Sequence, residues 1–245
     1  MTTLQIIVFI IACILIGLSK GGLGGPLPVS LVVPMLALVM DVKEAVPLIL
    51  PFLIFADWFA LRTYWKQWNY YYIKLMLPSA ILGAIMGGLL LSLIPAFVLK
   101  ILIAVFTLIV IIYKLLSDRL ENVKYKHQNW HGYLAGWASA FASTLANTGG
   151  PPFTIYMLLQ KVEPIPFIAT TTLYFTIVNL LKVPLFLWQG LIDINLLVSV
   201  LWALPIIPIG VWLGRRSLNY ISPILFERIM MVLLALSIIF LFVTL

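Results

Sequence analysis

Charge is scarce in this sequence. Asp, Glu, Lys and Arg make up only 9% of its 245 residues, where an ordinary soluble domain carries about 25%. Cysteine is nearly absent too. Cys13 stands alone inside an apolar run, which excludes an intrachain disulfide or a CxxC metal site. The two histidines, His127 and His131, have no cysteine or ligand spacing around them. HExxH, Walker A and GxSxG patterns are missing, so no enzyme chemistry, metal or cofactor is expected. The longest polar stretch is 117–131, which leaves no room for a soluble catalytic or nucleotide-binding domain.

What fills the chain is apolar surface: 63% of residues are hydrophobic and the mean hydropathy is +1.14. A water-soluble fold of this length could not hide that much of it. The net charge of +7 lies in single and paired basic residues between apolar runs. It reads as a topology signal, not as a nucleic-acid footprint. The first apolar run, 4–18, has no preceding Lys or Arg and no small-residue cleavage pattern after it. It is expected to stay in the mature chain.

A helix needs about 20 apolar residues to cross the hydrocarbon core. Runs 46–61, 72–93, 97–116, 166–188, 196–214 and 224–245 approach or meet that length. Two other regions are interrupted. Run 4–18 meets Ser19-Lys20-Gly21-Gly22-Leu23-Gly24-Gly25-Pro26 and resumes at 27–40; run 132–146 meets Asn147-Thr148-Gly149-Gly150-Pro151-Pro152 and resumes at 153–159. Such glycine and proline density stops a helix. Each region therefore predicts two short helices around a break, the downstream ones beginning at Leu27 and Phe153.

A shift of 125 residues lays Gly24-Gly25-Pro26 on Gly149-Gly150-Pro151. With a drift of a few residues, Gly83 and Gly87 fall on Gly210 and Gly214, and Pro95 with Lys100 on Pro223 with Arg228. The reading is an internal duplication, with a first repeat 1–120, a charged linker 121–131 and a second repeat 132–245. Each repeat has five helical segments. An odd number inverts the second repeat relative to the first. Parity puts Arg62, Lys66, Lys74, Lys114, Arg119, Lys124, Lys126, Lys161, Arg215, Arg216 and Arg228 on one side, most of the chain's 15 basic residues. The positive-inside rule makes that side cytoplasmic and both termini external. The predicted fold is thus an all-α polytopic membrane protein with two inverted-topology repeats and broken or re-entrant Gly-Pro helices at its centre.

Irregular backbone at membrane depth must face protein or water, so the two breaks are expected to meet inside. Converging N–H groups and half-helix N-termini favour an anion. Ser19, Lys20, Gly21, Gly22, Gly24, Gly25 and Pro26 from the first break, and Asn147, Thr148, Gly149, Gly150 and Pro151 from the second, are the candidate binding residues. The alternative is that Lys20 snorkels to the surface and the glycines only allow close packing. That alternative explains Gly83/Gly87 and Gly210/Gly214 better than ligand binding does.

Asp57 and Lys182 occupy equivalent positions in the two repeats. Both are candidates for coupling or gating, with snorkelling near a span end as the competing reading. Asn179, Thr170, Thr171, Thr172 and Thr176 form a polar face, lining a pathway or joining helices. Trp58, Tyr64, Trp65, Trp68, Tyr70–Tyr72 and Trp188 mark span ends as an aromatic belt.

The runs Gly17-Leu18-Ser19-Lys20-Gly21-Gly22-Leu23-Gly24-Gly25-Pro26 and Ser143-Thr144-Leu145-Ala146-Asn147-Thr148-Gly149-Gly150-Pro151-Pro152, with the length and the duplication, resemble the TauE/SafE family, also called the toluene sulfonate uptake permease family. The resemblance implies a bacterial or archaeal inner-membrane secondary transporter for sulfite, sulfoacetate or related organosulfonates. It also implies coupling to protons or another ion, with export the common direction. Homo-oligomerisation is left open. An anion-conducting channel and a non-transporting sensor or assembly subunit are the alternative functions.

Overall fold

The computed structural model of the protein describes residues 2–21, 27–120 and 128–217, with residues 225, 228–229, 231–236 and 239 beyond them. Among these residues the regular structure is helical: α1 (Thr3–Lys20), α2 (Leu27–Leu36), α3 (Val42–Thr63), α4 (Tyr70–Leu93), α5 (Ala96–Leu120), α6 (Asn129–Ala146), α7 (Gly150–Leu159), α8 (Pro164–Trp188), α9 (Ile194–Val200) and α10 (Ile206–Ser217). Helices α1, α3, α4, α5 and α8 contain stretches long and apolar enough to cross a membrane. The chain is a multi-pass membrane protein. Helices α2 and α7 have 10 residues each, about 15 Å of rise, half a hydrocarbon core.

Four helix starts carry a side-chain cap. Thr2 closes a capping box with Gln5, and Asp41, Asn69 and Asp193 accept from backbone N–H groups one turn into α3, α4 and α9. Each satisfies donors that the first turn leaves without an intrahelical partner.

The helix ends sort onto two faces. On the first, Arg215 at the end of α10 donates to Thr63 Oγ1 at the end of α3 (2.9 Å). There too Tyr71 of α4 donates to Asn129 of α6 (3.0 Å), and the Asn69 N–H donates to Thr170 Oγ1 of α8 (2.8 Å). On the second face Gln5 of α1 donates to the Val39 carbonyl after α2 (2.8 Å), and Lys43 of α3 to the Ser92 carbonyl of α4 (3.0 Å). The pair α1–α2 thus leaves and returns to the second face, whereas α6–α7 leaves and returns to the first.

Glycine lets two helix pairs touch backbone to backbone. A Cβ on Gly83 would lie within 2.3 Å of the Trp137 carbonyl oxygen, and one on Gly136 within 2.3 Å of the Met76 carbonyl oxygen, so α4 and α6 touch backbone to backbone. Helices α1 and α10 do the same through Gly17 and Gly21 against Gly210 and Gly214. Gly83, Gly87, Gly210 and Gly214 thus serve close helix packing.

Three expectations change in detail. Run 196–214 is not one straight helix: α9 and α10 meet at a 45° bend, where Pro205 has no N–H to donate. Run 27–40 is helical only to Leu36, with turns after it, and the helix expected to begin at Phe153 begins at Gly150. Its first turn holds Pro151 and Pro152, which suit a position where N–H groups have no intrahelical partner. The span expected at 224–245 falls largely outside the described residues.

Candidate functional site

The second break is built by a change of handedness at one residue. Helix α6 ends at Ala146, and Asn147 takes a left-handed conformation (φ 53°) in which its N–H still reaches the Ala142 and Ser143 carbonyls. Asparagine tolerates this better than other side-chain-bearing residues. Gly149 has φ −70°, so the glycine is not needed for its torsion. It is needed for space: a Cβ there would lie 2.2 Å from the Ser139 carbonyl oxygen. The Ser139 hydroxyl donates back to the Gly149 carbonyl (2.7 Å), pinning the start of α7 to α6.

From this break a chain of polar groups runs through the protein interior. Lys182 Nζ, fully buried on α8, donates to the Ser143 carbonyl (2.8 Å), Ser143 Oγ (2.8 Å), Asn147 Oδ1 (3.0 Å) and Asn179 Oδ1 (3.1 Å). Asn179 Nδ2 donates to Asp57 Oδ2 (2.9 Å). Asp57, also fully buried, pairs through Oδ1 with Lys20 Nζ at 2.5 Å. A lysine has donors only, so both asparagines must turn their oxygens toward Lys182. That fixes the two amides. Asn179 spends its nitrogen on Asp57. Asn147 Nδ2, in a residue 8% exposed, has no partner among the described residues.

Asp57 and Lys182 each stand six residues before the end of their helix (α3 and α8), yet neither snorkels. Both are 0% exposed and held by protein groups. The headgroup-contact reading of these two residues is therefore replaced by an interior network, as is surface snorkelling for Lys20, which is bound to Asp57.

Beside this network lies a cavity of about 200 Å³. Its wall includes Ser19 and Lys20 at the end of α1, Ser30 of α2, Ser143 of α6, Asn147 and Gly150 at the second break, Thr154 of α7, and Thr171, Thr172 and Asn179 of α8. Tyr64 and Ile168, close to the first-face ends of α3 and α8, also line it. Of the candidate residues, Ser19, Lys20, Asn147 and Gly150 meet at this cavity. Gly21 instead packs on the Val211 carbonyl and Gly214, and Gly149 on α6. The Thr148 hydroxyl turns to the Ala142 carbonyl (3.5 Å), and Pro151 is buried in α7. Gly22, Gly24, Gly25 and Pro26 lie outside the described residues. The polar face of α8 divides: Thr171, Thr172 and Asn179 line the cavity, while Thr170 caps the approach to α4 and Thr176 bonds the Thr172 carbonyl.

Ser30, Ser143 and Thr154 were not among the candidates. Helical spacing would have found two of them, since Ser143 stands four residues before Asn147 and Thr154 four after Gly150, on the same faces. For Ser30 the sequence offers no comparable signal.

Comparison with known proteins gives the family of the chain. A protein described as "Probable sulfite/organosulfonate exporter TauE", from Cupriavidus necator, is 26% identical over 156 residues. The match covers 63% of this chain and 59% of that relative, so less than two thirds of the relative's length is spanned. No solved structure matches the chain. The profile of the family described as "Sulfite exporter TauE/SafE" matches residues 8–241, nearly the whole chain and both breaks, and the protein belongs to the TauE/SafE family.

Proposed function

We propose that this protein is a secondary active transporter that exports a small sulfur-containing anion, such as sulfite, sulfoacetate or another organosulfonate, across the inner membrane, driven by protons or another ion. Asn147 carries the reading. Its Nδ2 is a buried donor with no partner among the described residues, in a residue that lines the cavity. Such a group is costly until an acceptor arrives. Gly150, the first residue of α7, adds the positive end of a helix dipole, and Ser19, Ser30, Ser143 and Thr154 add hydroxyls. Cation, amide and hydroxyls around one small space suit an oxyanion. The name of the Cupriavidus necator relative points to the same cargo.

The transport mechanism we propose rests on two inverted repeats, 1–120 and 132–245, joined by the linker 121–131. Equivalent helices make equivalent contacts: α4 packs on α6 as α10 packs on α1. Asp57 and Lys182, equivalent by sequence, meet through Asn179, and equivalent residues approach one another only near a two-fold axis. The first hairpin rises from one face and the second from the other, which supports inversion and alternating access. The basic residues favour a cytoplasmic first face, with both termini outside.

Counterflow tests this. Proteoliposomes preloaded with unlabelled sulfite should accumulate labelled sulfite transiently, faster than empty ones. Uptake that ignores the internal anion would mark a channel, and no uptake of sulfite, sulfoacetate or methanesulfonate would refute the proposed cargo.

A further inference from the structure

The charges around the cavity can be counted. Among the described residues the fully buried charged side chains are Asp57 and Lys182, and Lys20, 17% exposed, completes the cluster through its pair with Asp57. The other charges on the elements packed here lie toward the faces. Lys43 is bound to the Ser92 carbonyl, Arg62 lies over the Trp58 ring, and Arg215 is bound to Thr63. Helices α2, α6 and α7 contribute no Asp, Glu, Lys or Arg, and neither does the break 22–26. Two ammonium groups face one carboxylate. The four partners of Lys182 Nζ are neutral oxygens, a surrounding that suits an ammonium, so by formal charge the cluster holds one positive charge in excess, on Lys182.

We propose that the cavity selects singly charged anions, with Lys182 supplying the unbalanced charge and orienting Asn147 as the donor, and Asp57 holding the excess at one. This rests on the anion-site reading above and narrows its cargo to monoanions such as hydrogensulfite or a simple monosulfonate, excluding sulfoacetate, which carries two negative charges through its carboxylate and sulfonate. A monoanion brings the buried cluster to neutrality. A dianion leaves an uncompensated negative charge in a low-dielectric interior, where unpaired charge is expensive. Lys182 and Asp57 are positioning and specificity residues here; Asn147 touches the ligand.

The experiment compares methanesulfonate, a monoanion, with sulfate, a dianion of similar size and the same sulfur–oxygen geometry. Binding of each to the full-length protein in detergent is measured by calorimetry. Wild type should bind methanesulfonate about tenfold or more tighter than sulfate. Asp57→Asn keeps the shape and raises the excess to two, so it should move the preference toward sulfate by about tenfold or more. A residue with only a structural role would weaken both anions alike, so equal changes overturn the proposal. Wild type binding sulfate at least as tightly as methanesulfonate also overturns it, and that result needs no variant to fold. If both anions bind but neither notices Asn147→Asp, the binding reading itself fails, a result distinct from lost charge discrimination.

Discussion

Asn147→Asp separates binding from folding in one atom. The change replaces the Nδ2 amine by a carboxylate oxygen and preserves the shape, the oxygen bound to Lys182 at 3.0 Å and the tolerance of a left-handed backbone at φ 53°. For the empty protein the new oxygen should be harmless or helpful, because a buried unpartnered donor becomes part of an ion pair with a buried ammonium. For an anion in the cavity the change is severe. It removes a charge-assisted hydrogen bond of about 1.5–3 kcal/mol. It also sets two negative charges about 4 Å apart, worth about 4 kcal/mol at an effective dielectric of 20. The sum, about 5–7 kcal/mol, is a loss of about 10⁴-fold or more in affinity. Calorimetry with methanesulfonate and a thermal melt of the same preparation read both quantities. The expected result is a melting temperature equal to or above wild type with no detectable binding. A variant that binds within about tenfold of wild type would show that Asn147 does not donate to the anion.

Lys20→Gln leaves the buried Asp57 carboxylate without its ion pair and should destabilise the protein by about 3–5 kcal/mol. Adding Asp57→Asn should recover part of that loss, and a thermal-melt double-mutant cycle without coupling would refute the pair. Gly83→Ala forces a Cβ into the Trp137 backbone and should lower stability by about 1–3 kcal/mol or more. Gly190→Ala, with no described residue within 4 Å of the added Cβ but φ +65°, should cost about 1 kcal/mol of backbone strain alone, so a smaller melting shift for Gly83→Ala would refute the backbone contact. Cysteine labelling in intact cells should find positions 66 and 161 cytoplasmic and position 190 external. A cytoplasmic position 190 would overturn the proposed orientation.

The architecture was legible in the sequence wherever one physical constraint acts locally. Apolar runs are read by length, because the bilayer has a fixed thickness. The second break is signalled by its prolines, which suit a first helical turn, although the chain turns at Asn147 and not at a glycine. The exchange of small residues between α1 and α10 and between α4 and α6 could be anticipated from Gly83/Gly87 and Gly210/Gly214, since only small side chains let helices approach so closely. The bend at Pro205 was less legible: Pro78 sits within continuous α4, so whether a proline breaks a span depends on its surroundings.

The assignments at the site belong to the tertiary structure. Nothing local tells Gly149, which packs on Ser139, from Gly150, which lines the cavity, since both sit in one motif. The sequence leaves Lys20 a cation free to meet a ligand or the surface, whereas the fold sets Asp57, from a different helix, beside it. Composition flagged Asp57 and Lys182 as unusual, yet Asn179, Ser143 and Asn147 connect them only because α3, α6 and α8 converge. A buried charge is defined by its partners, and partners from three helices are set by packing, which no single stretch of chain encodes.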